Sequence, residues 1–459
     1  MGTLSGSLSI ALQALSADQG AVAVTANNVA NANTPGYARE VPVFQENPPL
    51  TYGSLQFGTG VSLGQTQSIR DNILQIRIDQ EGQQGGQLDS FVSSMQQMQT
   101  LFNEASGVGL QTPITSFFNS WQQLASDPTN LNYRQNVLTS AQNLAEAFHQ
   151  ISAGLTSQQT NLDLSVQQSV TQVNQLTTQI AKLNGQVAAM SGAGQDASGL
   201  VDQRDQLIQQ LSGLVDVSYV SSGNNGLTLT TTSGAPLVVG NQSFSLTTGT
   251  DPTTGLTHIY SQGTDITSSI ASGQLAGELE ARDQQIPATL ASLDTLAAGI
   301  ANAVNTQSAA GYDLSGNPGG NFFVPPPAGG TGAAAALQVA ITDPALVAAS
   351  SDGTTGSNGN ANAMAALANQ AIVAGQTPAS YYSGVVFQIG NTVSNAQMEQ
   401  SANHLVLQQL ENQRGALSGV SLDQEAANLI QYQQAYDAMA RVITIISDLT
   451  QSAVQLGKD

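Results

Sequence analysis

Both ends of the chain carry a long apolar seam at helical spacing. Near the N-terminus, Leu8, Leu15, Val22 and Val29 recur every seven residues, with Leu4, Ala11, Asp18 and Thr25 at the intervening positions. Near the C-terminus, Leu429, Tyr432, Tyr436, Met439, Ile443, Ile446, Thr450 and Ala453 alternate by three and four. This spacing draws one line along one helix face, as in a coiled-coil seam. The plainer reading is that both seams pack the core of the chain's own bundle. Position argues for more. A Pro-Gly turn cuts off one end, and Gly415 and Gly419 cut off the other. Helices so isolated are marginal in water, and two of them make a thin core. The expectation is an antiparallel coiled coil of the two ends, with neighbouring copies of the chain covering its outer faces. Asp18, Gln433 and Ser447 interrupt the seams, which suits a contact that forms in an assembly without trapping free subunits.

The first seam runs into NNVANANTPGYARE, Asn27 to Glu40. Asn competes for backbone groups and tolerates left-handed dihedrals, so the run ends a helix. Pro35 pushes Thr34 out of the helical region. Pro35 and Gly36 fit the two central positions of a type II turn, where Gly supplies φ > 0. Thr34, Pro35, Gly36 and Tyr37 are therefore read as a hard stop and a redirected chain, with Tyr37 a half-polar anchor.

The middle of the chain is mostly helical. Residues 41–68 are rich in Pro, Gly and Thr and read as extended. Leu88, Phe91, Met95, Met98 and Phe102 follow helical spacing, and a longer series runs from Val137 to Met190. Unbroken, Arg134–Met190 would be a rod of about 85 Å, with Gly154 a candidate kink. From Asp216 to about Thr267 the chain turns to Thr, Val and Gly with alternation, the pattern of a small antiparallel β domain. Helix returns at Gly277–Ser308. Residues 309–360 read as loops, and helices resume near Ala361 and Thr392. The expected fold is mainly α and elongated. Residues 1–40 and 416–459 form a terminal coiled-coil assembly domain, 41–215 and 273–415 a long helical rod domain, and 216–272 a small inserted antiparallel β domain.

Composition narrows the function. The 459 residues carry a net charge of -21, with only 9% charged residues. That argues against nucleic acid and anionic membrane as partners, because both require basic patches. With no cysteine, thiol nucleophiles, zinc–thiolate sites and disulfide scaffolds are excluded. The N-terminus lacks a basic region and a continuous apolar run, so it is a poor signal peptide. His149, His258 and His404 share no metal-ligand spacing and read as structural or solvated. YDLSGNPGG, Tyr312 to Gly320, reads as a turn rather than a calcium loop. Gly192 and Gly194 lack the rest of a dinucleotide fingerprint. Asp202 and Arg204 read as a solvated helix ion pair. No catalytic, cofactor or metal residues are assigned.

Two stretches carry a resemblance. ANNVANANTPGYAR, Ala26 to Arg39, resembles the N-terminal signature shared by bacterial flagellar rod, hook and hook-associated proteins. SGVSLDQEAANLIQYQQAYDAMARVI, Ser418 to Ile443, closely resembles the C-terminal signature of the hook–filament junction (hook-associated protein 1) family within that group. DQRDQLIQQLSGLVDV, Asp202 to Val217, and AAGYDLSGNPGG, Ala309 to Gly320, are similar to internal motifs of the same family. The resemblance implies a non-enzymatic structural protein of the flagellum, required for filament assembly and exported unfolded through the flagellar type III apparatus without a cleaved signal peptide. It further implies an extracellular ring in the axial tube. Its partners would be itself, the hook protein, a second hook–filament junction protein and an export chaperone. The seams would be the assembly interface, and the turn would lead from the inner coiled coil to the rod. Another axial protein of hook or rod, or a secreted adhesin or passenger, is the alternative. The first lacks the Asn428-Leu429-Ile430 context, and the second normally has a signal peptide and a C-terminal translocator.

Overall fold

A computed structural model describes residues 2–52, 55–104, 107, 109–222 and 226–456. Its helices are α1 (Gly2–Ala30), α2 (Asn72–Thr100), α3 (Gln111–Ser126), α4 (Leu131–Gly192), α5 (Ser198–Leu214), α6 (Gly273–Glu280), α7 (Ile286–Ala309), α8 (Ala333–Ala336), α9 (Gly359–Ala366), α10 (Pro378–Ser418) and α11 (Leu422–Leu456). Among the described residues, no helix is long and apolar enough to cross a membrane.

The chain divides into two compact units, which differ from the three domains expected from sequence. The first comprises Met1–Gln83, Val173–Leu246 and Asn403–Asp459; the second comprises Gln84–Gln172 and Thr247–Ala402. Residues 41–83 and 173–215 thus belong with the chain ends rather than with a separate rod. The β region 216–272 is also divided. After four strands nearer the N-terminus, β1 (Glu40–Glu46), β2 (Leu50–Tyr52), β3 (Leu55–Phe57) and β4 (Val61–Ser68), strands β5 (Ser218–Ser222), β6 (Gly226–Thr230), β7 (Pro236–Val239) and β8 (Gln242–Ser243) form a four-stranded antiparallel meander in the first unit. Strands β9 (Leu246–Thr250), β10 (Thr257–Ser261) and β11 (Thr264–Asp265) make a separate sheet. Each sheet buries alternate residues, Leu227 and Leu229 in one, Thr257, Ile259 and Ser261 in the other.

In the first unit the stretch after the Pro-Gly turn forms a hairpin arm. Strand β1 (Glu40–Glu46) pairs antiparallel with β4 (Val61–Ser68), and β2 (Leu50–Tyr52) pairs with β3 (Leu55–Phe57) between them. The arm lies along α1, where Asn47 donates to Gln13 (2.8 Å). Leu74 and Ile78 of α2 pack on Leu407 and Leu410 of α10. The first unit thus surrounds the turn with α2, α5 and the joint between α10 and α11.

The second unit holds the large core. Met95 and Met98, Val137 to Leu155, Leu293 to Val304 and the start of α10 close around it. Phe322 and Phe323, in a stretch expected to be loop, are fully buried. They pack at a tilt on Phe117 and Trp121 with ring centroids 5.4–5.9 Å apart, and edge-on to each other at 5.0 Å. An irregular backbone carries them because Asn305 substitutes for a strand partner. Its side chain accepts from both Phe N–H groups and donates to the Phe323 carbonyl. Helix α4 runs 62 residues without a break at Gly154. A Cβ there would come within 2.9 Å of the mobile end of the Leu101 side chain, so the glycine marks a close contact rather than a kink.

Candidate functional site

The site is built where α1 ends. The helix stops at Ala30, and Asn31 closes it by donating to the carbonyl and side chain of Asn27 (both 3.0 Å). Thr34 Oγ1 donates to Asn31 Oδ1 (3.1 Å). The turn then closes: Tyr37 N–H donates to the Thr34 carbonyl at 3.2 Å, with Gly36 at φ +77°. Gln206 of α5 donates to the Pro35 carbonyl, and a Cβ on Gly36 would meet the Gln206 side chain at 2.6–2.7 Å. Position 36 therefore lacks both the space and the backbone dihedral for another residue.

Asn28 lies at the centre of the joint and is 1% exposed. Its side chain pairs with Glu40 like a short strand: Glu40 N–H donates to Oδ1 (2.9 Å) and Nδ2 donates to the Glu40 carbonyl (2.8 Å). The Tyr37 hydroxyl donates to the same Oδ1 (2.8 Å), and Nδ2 also reaches Glu425 Oε2 (3.1 Å). Glu425, at the start of α11 and 1% exposed, takes Arg39 Nε at 2.6 Å. Arg39 N–H donates to the Ser418 carbonyl at the end of α10 (2.9 Å). One amide thus ties the end of α1, the start of β1 and the start of α11 together.

A second group of charges holds the turn to α5. Asp202 accepts from Ala38 N–H (3.3 Å) and from Arg70 Nη2 (2.6 Å); Arg70 Nη1 also reaches Asp205 (3.3 Å). Burial lifts Asp202 to about 6, against the pull of Arg70, and burial with the nearby Glu40 pushes the Tyr37 hydroxyl well up. Arg204 does not pair with Asp202. It is buried and donates to Asn184 of α4 (3.1 Å). The expected solvated pair is therefore a buried framework, because α5 turns this face to α4 and the turn.

The terminal helices pack antiparallel. Asn28 meets Glu425 near one end, and Gln19 reaches the Tyr436 hydroxyl (3.4 Å) farther along. On α11 the line of Leu429, Tyr432, Tyr436, Met439 and Ile443 is half-buried and Ile446 is buried, with Phe44 of β1 against Tyr432 (6.1 Å). On α1 the buried line takes only Ala11 and Thr25 from the expected seam. It is Ala11, Ala14, Ala17, Ala21, Thr25 and Asn28. Leu8, Leu15 and Val22 are only half-buried, and Val29 is 44% exposed. Small residues allow close approach of helices and hairpin, so alanines take the contact and the larger side chains fall on the adjoining stripe. Spacing could have shown this, since Ala14, Ala21 and Asn28 repeat every seven residues. Glu425, four residues before Leu429 in register, carried a similar signal. Arg39, Arg70 and Gln206 had none, because nothing local marks their partners.

The helices at the two ends of the chain thus pack on each other and meet beside an Asn-anchored turn. Residues 8–37 match the flagella basal body rod protein family, and residues 413–456 match the C-terminal family of flagellar basal body rod FlgEFG proteins. Residues 95–323 match the helical domain of flagellar hook-associated protein FlgK. Flagellar hook-associated protein 1 of Bacillus subtilis (strain 168) is 32% identical over 494 aligned residues, covering 97% of each chain. Its counterpart in Escherichia coli (strain K12) is 26% identical, covering 96% of this chain and 97% of that one. In fold, the chain resembles the flagellar hook junction protein FlgK from Burkholderia pseudomallei, with a TM-score of 0.66 and 19% identity over 74% of this chain and 100% of that one. The chain belongs to the flagellar hook-associated protein 1 family, the hook–filament junction proteins of the bacterial flagellum.

Proposed function

We propose that the chain forms a ring of the flagellar axial tube, with the hook protein below and a second hook–filament junction protein above. Its role on this reading is mechanical: the α1–α11 pair supplies packing to the tube, and the turn leads the chain out to the remaining helices. Leu8, Leu15, Val22 and Val29 together with Leu429, Tyr432, Tyr436, Met439, Ile443 and Ile446 remain the proposed assembly residues, with Thr34 to Tyr37 as the turn. The observation that carries the reading is a second apolar stripe. Ile430, Val442, Ile445 and Leu449 on α11, with Leu12 and Val29 on α1, stay exposed after the two helices have packed. Covering the exposed half of each such side chain is worth about 1 kcal/mol, roughly half of a full burial, so neighbouring copies are its natural cover. The chain on this reading reaches the cell exterior through the flagellar export apparatus, held beforehand by an export chaperone.

The test is flagellar morphology. A strain lacking the gene should build hooks without filaments, and the chain with Gln451→Asp should restore them. Ile445→Asp should be secreted yet leave hooks bare. Filaments of ordinary length with Ile445→Asp would remove the outer stripe from the contact.

A further inference from the structure

Helix α1, the β1–β4 arm and helix α11 depend on one another. A two-stranded hairpin is marginal in water without a further layer, and so is a single helix. The principal neighbours of α1 are α11 and the two arm strands, and the principal neighbour of α11 is α1. The arm lies on α1 through Asn47 and Gln13, and through Leu63, which would come within 2.5 Å of a Cβ on Gly20. It also reaches α11 directly, through Arg39 on Glu425 (2.6 Å) and through Phe44 against Tyr432. The buried Glu425 is therefore shared. Its Oε1 takes Arg39 at the root of the arm, and its Oε2 takes Asn28 Nδ2 at the end of α1 (3.1 Å). Asn28 in turn holds both backbone groups of Glu40, the first residue of β1. The turn has an anchor of its own, since α5 holds the Ala38 N–H and the Pro35 carbonyl.

We propose that α11 is a strap that sets the arm: α1, the β1–β4 arm and α11 order together through Glu425, so the chain presents its arm only while its two ends are paired. With α11 unseated, Arg39 and Asn28 lose their shared carboxylate, Phe44 loses Tyr432, and α1 loses its helical neighbour. The turn stays on α5, and the arm beyond it is released. Such coupling is reciprocal. Whatever loosens the far end of α11 should loosen the arm as well, even at Ile446, which lies about 30 Å along the helix from Glu425. The strap is a property of the single chain, so its failure and the failure of the ring reading are separate results.

Hydrogen exchange of the full chain tests it, with segment 200–212 of α5 as the reference within the same unit. Glu425→Ala should lower the protection of segment 40–46 and of segment 8–20 in α1 on the order of a hundredfold, the scale of losing one partner of a buried charge pair. Ile446→Ala should lower the protection of segment 40–46 by the same factor as that of segment 440–450. In both variants α5 should keep its protection, and that pattern supports the strap. Loosening of segment 440–450 alone by Ile446→Ala overturns it, as does full protection of segment 40–46 in Glu425→Ala. So does a loss that α5 shares equally, which would mean that the whole unit weakens and no strap exists within it.

Discussion

At Gly36, two demands fall on one position: a left-handed backbone and an absent Cβ beside Gln206. Gly36→Ala should cost about 1–2 kcal/mol from the dihedral alone, with a steric cost added. Urea unfolding of Gly36→Ala, Gln206→Ala and the double variant separates the two. The double variant should be more stable than the sum of the singles, and strict additivity would assign the whole effect to the backbone. Asn28 makes a different demand. Its amide donates to a carbonyl and a carboxylate and accepts from an N–H and a hydroxyl. Asn28→Asp removes the donors and sets a buried carboxylate against Glu425. The loss should approach the cost of breaking a buried charge pair, about 3–5 kcal/mol, while exposed Asn33→Asp should change little. The turn was legible in sequence because Pro and Gly act on their own backbone. The role of Asn28 was obscured because helix-ending chemistry explains an Asn run equally well; only the burial of its face distinguishes the one that binds.

Elements follow the same division. Long helices were legible from their apolar period, and so were the strands from alternation. What period could not show was which stripe of α1 is inside, because alanine carries little hydrophobic signal yet permits the closest approach. Nor could alternation show that the strands of 216–272 serve two units. The glycines within helices make the point testable. Gly154 in α4 and Gly299 in α7 should each gain up to about 1 kcal/mol of helix propensity on change to Ala. A Cβ at 154 would meet only Leu101 side-chain atoms, the nearest at 2.9 Å, whereas at 299 it would meet Val373 at 2.9 Å and the Ile372 carbonyl at 3.1 Å. A leucine can rotate away; a carbonyl cannot. Gly154→Ala should therefore lie near neutral and Gly299→Ala should destabilise by about 1–3 kcal/mol, as overpacked cores do. Equal urea midpoints for the two would contradict this account. On α11, Ile446→Ala should weaken the helix pair within one chain. Exposed Ile445→Ala should leave the isolated chain's unfolding unchanged.

Across the whole molecule, the acid response divides with the two units. The carboxylates that burial lifts above their ordinary range, Asp18, Glu40, Asp79, Asp202 and Asp205, all lie in the first. Those held below it, Asp163, Asp251, Asp265, Asp313 and Asp352, all lie in the second. There, desolvation of Asp163, Asp265 and Asp313 is outweighed by donors: Thr257 and Arg282 for the first, Thr267 and His258 for the second, Asn317 for the third. Thr254 and Thr354 do the same for exposed Asp251 and Asp352. The two groups have opposite signs. Raised carboxylates stabilise the first unit below about pH 4, and that support fades as pH climbs through their raised values, about 6 for Asp79 and Asp202. Lowered carboxylates stabilise the second unit above about pH 4, and that support fades as pH falls through their depressed values. A net charge of -21 adds a general gain on acidification, but it acts on both units, so the informative quantity is their difference. Exchange protection of α3 relative to the α1–β1 joint should be largest at pH 8, shrink by pH 5, and shrink further or reverse below pH 3.5. A ratio that stays flat from pH 8 to pH 3 would mean that the buried carboxylates of the joint are solvated in solution, and that the two units share a single acid response.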